Sequence, residues 1–243
     1  MTPEEQAASE RAVAFAKNNR TRIARDLACL QSYPSDEYPV SVFMAGSPGA
    51  GKTEVSRAFV QMMQASGSKA LRIDPDDFRD YFPEYTGSNS SIFQRGVTTF
   101  VERTLDLVYR QRQSFLLDGT LANFDVARRN IERALEKENR SVQIIYVYQR
   151  PELAWEFVLA REKKEGRNIP CPDFVKQFYA AKASVCALKR QFETALQVDI
   201  IIKDNDGGSA DIGIDLSAGE IDGFVSQPYD HAELERILQG VSS

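Results

Sequence analysis

The chain has 243 residues, 30 of them Lys or Arg and 35 Asp or Glu, for a net charge of −5. Apolar residues make up 42% and charged residues 27%, which excludes a disordered chain and a collagen-like repeat and suits one large domain with appendages. The acidic surplus argues against bulk electrostatic binding to nucleic acid or anionic lipid. No apolar run approaches the roughly 20 residues that span a bilayer. The N-terminus MTPEEQAASERA is polar and acidic, unlike a signal peptide, so a cytoplasmic protein is expected. Cys29, Cys171 and Cys186 show no CxxC spacing and read as reduced thiols. His231 is the single histidine and is expected at the surface, so a Ser-His-Asp triad or a multi-histidine metal site is not expected.

Residues 3–31 carry apolar positions at helical steps and predict one or two amphipathic helices, with a possible break at Asn18-Asn19. Residues 31–37 read as a linker around Pro34. Residues 38–45 form a short apolar run ending at Gly46, a buried strand feeding a turn. A helix is expected over 53–65, a strand over 69–73, a long helix over 92–111 and a strand over 115–117. Asp125 is the expected N-cap of a helix over 126–138. Strands over 142–148 and 198–202 enclose helices over 152–165 and 174–192, with Trp155 in the core. The mixed-sign stretch 128–140 reads as a solvated helix face. Beyond 204 a hairpin over 212–224 and a helix from about 230 are expected. The alternation predicts an α/β fold, a mainly parallel sheet flanked by helices, and the GxxxxGK[ST] match at 46–53 makes it of the P-loop NTPase type. Its core spans 38–204, with a helical extension over 1–37 and a hairpin and helix over 205–243.

The strongest chemical signal is Gly46-Ser47-Pro48-Gly49-Ala50-Gly51-Lys52-Thr53, a full GxxxxGK[ST] match between a strand and a helix. Its glycines let backbone amides face a polyphosphate, Lys52 reaches the terminal phosphates and the Thr53 hydroxyl serves Mg²⁺. ATP and Mg²⁺ are the expected cofactors. Asp74, Asp76 and Asp77 follow the second strand, at the edge of the sheet where ligands bind. One of them, Asp76 ahead of Asp74, suits a base for an attacking hydroxyl; the alternative is helix capping, most of all for Asp77. Asp118 ends the third strand and suits Mg²⁺ and its waters, or else a turn. Arg161 and Arg167 could neutralise a moving phosphoryl group, or be ordinary solvated charges at a helix end.

Together GSPGAGKT, IDPDDFR with Pro83-Glu84-Tyr85, Glu102, LLDGT and ARxxxxGR resemble the zeta-toxin family of P-loop kinases, over residues 40–205. The resemblance implies an ATP-dependent kinase that phosphorylates the 3′-hydroxyl of the amino sugar in UDP-N-acetylglucosamine and is restrained by a partner antitoxin. It implies Asp76 as base, Lys52, Arg161 and Arg167 on the phosphates, and Asp76, Arg79, Glu102 and Thr120 at the acceptor. Asp118 stands where Glu is more usual, and Leu121-Ala122-Asn123 lack the basic residue that some members carry after the DGT motif. The N-terminal helices could serve as a prop, an oligomer surface or an inhibitory segment. Other readings are a kinase for another small molecule or a 5′-hydroxyl polynucleotide end, and an ATP-gated binding module without catalysis.

Overall fold

Thr2 and Glu5 form a capping box: the Thr2 hydroxyl accepts from the Glu5 amide, and the Glu5 carboxylate accepts from the Thr2 amide. In the computed structural model, which describes residues 1–166, 168–203 and 211–241, this cap opens a single helix, α1 (Pro3–Leu27). The possible break at Asn18-Asn19 does not occur. The Asn19 side-chain amide donates to the Phe15 carbonyl at 2.9 Å, and Ala12, Ala16, Ile23 and Ala24 stay buried through the turn that holds it.

The elements β1 (Val40–Ala45), α2 (Lys52–Ala65), β2 (Ala70–Ile73), α3 (Gln94–Arg110), β3 (Ser114–Leu117) and α4 (Phe124–Leu135) follow. After them come β4 (Ser141–Gln149), α5 (Pro151–Glu165), α6 (Cys171–Phe192), β5 (Gln197–Lys203), β6 (Asp211–Gly213), α7 (Ala218–Phe224) and α8 (His231–Val241). The strands form one sheet in the order β2-β3-β1-β4-β5-β6. The first five are parallel and β6 runs antiparallel to β5, so the expected α/β architecture with a mainly parallel sheet is the observed one. Strand order turns on either side of β1, which sets the ligand crevice at its carboxyl end.

Side chains alternate along each strand and divide the core by face. Val42, Met44, Leu116, Ile145 and Val147 pack under α2 with Val55 and Phe59. Phe43, Leu71, Ile73, Phe115, Ile144 and Tyr146 point the other way, into a larger core that also takes residues of α1, α3, α6 and α8. Trp155 is buried there, as expected.

Three local expectations are corrected. The hairpin over 212–224 is not formed: β6 pairs back onto β5, with Ile201 opposite Ile212, and Ser217 with Glu220 caps α7. The N-cap of α4 is Asn123, whose side chain accepts from the Val126 amide at 3.1 Å, rather than Asp125. The stretch 128–140 is not simply solvated. Asn130 and Arg140 are buried, and the Arg140 guanidinium donates to Ser41 Oγ at 3.0 Å and to the Gln113 carbonyl at 2.9 Å. Burial lowers the Arg140 pKa to about 10. Gln113 in turn donates to the carbonyls of Ala28 and Tyr33, pinning the end of α1 and the linker to the sheet.

Gly96 sits where α3 meets α1. A Cβ there would fall 2.7 Å from Phe82 Cζ and 3.2 Å from the Ala12 carbonyl oxygen. On an uncrowded helix Gly→Ala stabilises by about 1 kcal/mol. Gly96→Ala is expected instead to destabilise the protein by about 1–3 kcal/mol through overpacking, seen as a lower midpoint in chemical denaturation.

Candidate active site

The loop between β1 and α2 is built on close backbone approach. Gly46 (φ 139°) and Gly49 (φ 74°) lie in the region that favours glycine, and a Cβ at either would overlap a carbonyl, of Val147 and Ala154 respectively. Gly51 (φ 83°) is the N-cap of α2, with no side-chain hydrogen bond to the helix's first turn. Backbone amides and the positive end of the helix dipole thus face the crevice, an arrangement that suits phosphate. Lys52 Nζ donates to the Gly46 and Ser47 carbonyls at 3.0 and 2.6 Å. The loop is tied sideways by the Gly46 amide, which donates to the Thr120 carbonyl at 3.2 Å.

Beneath the loop lies a cluster around Arg72. Leu71 and Ile73 face the larger core, so period-two alternation turns Arg72 and Asp74 to the α2 side of the sheet. Arg72 Nη2 stands 2.5 Å from Asp118 Oδ2 and 2.5 Å from Asp74 Oδ2. Its Nε donates to Ser56 Oγ at 2.9 Å, which lies 2.8 Å from the same Asp118 oxygen. Asp77 Oδ2 is 3.6 Å from Arg72 Nη1. Burial, then the nearby Asp76 charge, raises the Asp74 pKa from its ordinary value. The helix capping expected most of all of Asp77 is not seen, since Asp76 holds the N-cap position; Asp74 instead braces the turn, its Oδ1 accepting from the Asp76 amide at 2.8 Å.

Asp76 begins the single-turn helix Asp77–Tyr81 without capping it. One carboxylate oxygen is bonded by the Arg79 guanidinium and the other stands 3.3 Å from Arg161 Nη2 of α5. Arg79 is buried and also donates to Gln94 Oε1 at 3.0 Å, so it steadies Asp76 against α3. Arg161 is half exposed. The segment after Asp76 is held from outside as well: Arg11 of α1 pairs with Glu84 at 2.6 Å, and Phe15 packs on Phe82 with ring centroids 5.7 Å apart.

The remaining sites expected from the sequence are more scattered. Thr120 lines an open cavity of about 540 Å³ with Asn123 and, from α6, Asp173, Lys176 and Gln177. Glu102 is paired with Arg133 of α4 at 3.1 Å. Arg167 lies outside the described residues. His231 is exposed, as expected, and stacks on Tyr179 with centroids 4.0 Å apart. Sequence reasoning missed Arg72, Ser56 and Arg133; a charged residue inside the apolar strand ALRI was the available signal for the first.

The zeta toxin family model matches residues 23–217. Among solved structures, the chain is similar to one from the PezAT chromosomal toxin-antitoxin system of Streptococcus pneumoniae, with 18% identity, TM-score 0.62 and 93% of each chain covered. The AvrRxo1-ORF1:-ORF2 complex with ATP gives TM-score 0.59 at 16% identity, covering 98% of this chain and 86% of that one. The Pnkp1/Rnl/Hen1 RNA repair complex gives TM-score 0.51 at 19% identity over 65% of this chain and 48% of that one. No curated protein sequence matches the chain. At these identities the structures establish a shared fold, while the family match takes in the P-loop, the Asp76 segment, Asp118 and Arg161. The chain belongs to the zeta toxin family, and that membership supports a P-loop phosphotransferase.

Proposed function

We propose that the protein is an ATP-dependent kinase that transfers the γ-phosphoryl group to the 3′-hydroxyl of the amino sugar in UDP-N-acetylglucosamine. The observation that carries this reading is a carboxylate, Asp76, held between Arg79 and Arg161 on the edge of the sheet that bears the P-loop. In this reading the acceptor hydroxyl gives its proton to Asp76 as its oxygen bonds the γ-phosphorus. The bond from that phosphorus to the β–γ bridging oxygen breaks, and ADP leaves.

Lys52 exchanges its two loop carbonyls for the β- and γ-phosphates, while the loop amides hold the chain of phosphates. Arg161 moves from Asp76 toward the transferring group. That shift supplies positive charge where negative charge develops. Arg167 is assigned to the same clamp by its motif position alone. Thr120 and the neighbouring cavity, with Arg79 and Glu102, form the proposed acceptor side.

The residues present fit magnesium. Thr53 is the second residue of α2, and of the two Asp118 carboxylate oxygens Arg72 and Ser56 contact Oδ2. Among the described residues no group of three His, Cys, Asp or Glu forms a metal cage, as befits an ion that keeps phosphates and waters as most of its ligands. When bound, magnesium neutralises charge on the β- and γ-oxygens. A protein antitoxin is the proposed partner, in keeping with family membership and with the toxin-antitoxin system among the similar structures. No helix among the described residues is long and apolar enough to cross a membrane, and a cytoplasmic setting is proposed.

With purified protein, ATP and Mg²⁺, mass spectrometry is expected to show one phosphate added to UDP-N-acetylglucosamine and none to simple sugars or a 5′-hydroxyl oligonucleotide. The product should vanish in Lys52→Ala; phosphorylation of a different acceptor in the same screen would replace the named substrate. Asp76→Asn should keep nucleotide affinity and lower kcat by about 10²–10⁴, and near-normal turnover would remove Asp76 as the base. Arg161→Ala should lower kcat by about 10²–10³ with little change in ATP affinity.

A further inference from the structure

Arg72 is an unusual guest in a phosphate-binding site. It stands on the edge strand β2 with a side chain 15% exposed, against Asp118 at 4% and Asp74 at 13%. One nitrogen, Nη2, lies 2.5 Å from an oxygen of each carboxylate, and Nε reaches Ser56 on α2, three residues beyond Thr53. Two carboxylates and a hydroxyl therefore converge on a single cation from three elements: β2, the end of β3 and the helix that follows the P-loop. Carboxylates this close with so little water need a counter-charge, and a divalent ion is the other common group that meets such a set of oxygens.

We infer that Arg72 is a positioning residue of the nucleotide site: its guanidinium fills the cation position between Asp74 and Asp118, aims Asp118 by its Oδ2, and so denies the pair to a divalent ion before nucleotide arrives. The planar fork of Arg matters, because three acceptors in different directions are satisfied at once. A lysine ammonium keeps the charge but lacks the fixed fork. Arg72 also joins strand ends to α2, so the carboxylate edge and the P-loop helix keep one spacing. The part of this inference that concerns catalysis rests on the kinase reading; the ion-exclusion part does not.

The test uses Mn²⁺ as probe, followed by electron paramagnetic resonance in the absence of nucleotide. Wild type is expected to bind no Mn²⁺ at this site. Arg72→Met should gain one Mn²⁺ per chain, and Arg72→Met with Asp118→Asn should lose it again. Equal Mn²⁺ binding by wild type and Arg72→Met, whether none or one, would overturn the proposal, and would do so whatever the acceptor proves to be. Should Arg72→Met fail to fold, Arg72→Lys carries the test. It should fold, bind ATP and raise the Mg²⁺ concentration needed for half-maximal turnover by about 10- to 100-fold, as loss of an orienting partner does. An unchanged Mg²⁺ requirement in that variant would equally overturn the proposal. If no substrate of any kind is phosphorylated by wild type, the Mg²⁺ requirement is read from the affinity for Mg·ATP instead, again expected to weaken by about 10- to 100-fold.

Discussion

Asp74, Asp76, Asp77 and Asp118 crowd the carboxyl edge of the sheet, and the architecture of the site follows from the need to keep them side by side. Like charges at this range repel strongly where water is scarce. Arg72 answers Asp74, Asp77 and Asp118, while Arg79 and Arg161 answer Asp76. The three arginines differ in freedom. Arg72 and Arg79 are largely buried and fixed by several bonds, whereas Arg161 is half exposed on α5. The fixed pair keeps the carboxylates in place, and in the proposed mechanism the half-exposed one is the cation offered to the transferring phosphate.

That arrangement is held by contacts well away from it. α1 covers the segment after Asp76 through Arg11 and Phe15, and Gln113 fastens the end of the same helix to the root of β3. Arg140, reaching Ser41 and the Gln113 carbonyl, links β4 to β1 at the opposite end of the sheet from the P-loop. These buried ties hold the strand roots in register through Gln113 Nε2 and the two terminal nitrogens of Arg140, while Gln113 Oε1 and Arg140 Nε are buried without a hydrogen-bond partner. The side chains that line the crevice can then stand on strand ends that scarcely shift.

Legibility from sequence tracked how local each signal is. GSPGAGKT, the apolar strands and the Asp118-Gly119 strand end are defined by a few neighbouring residues, so their positions were readable. The Arg72 cluster was not, because its partners come from positions 56, 74 and 118 and meet only when β2 pairs with β3 beside α2. The same holds for Arg140, whose partner Ser41 lies 99 residues away. The mixed charges of 128–140 gave the pattern of a wet face, and tertiary packing overrode it. At 212–224 the surrounding Gly- and Asp-rich composition suggested a hairpin; the capping power of Ser217 and the open edge of β5 decided otherwise. For Asp125 against Asn123, two good N-caps stood two places apart, and the geometry chose the earlier one.

The place of β1 in the middle of the sheet has a consequence for how the chain is made. β1 is made before both of its neighbours, β3, pairing through Phe115 to Leu117, and β4, pairing through Ser141 to Tyr146. Contacts so distant in sequence are slow to close and cannot form before both partners exist. Gly49 finds the Ala154 backbone it packs against later still, and Arg161 later again. A nascent chain thus carries a P-loop without walls until the residues around Ala154 and Arg161 have been joined, and the carboxylate edge of the sheet is completed no earlier.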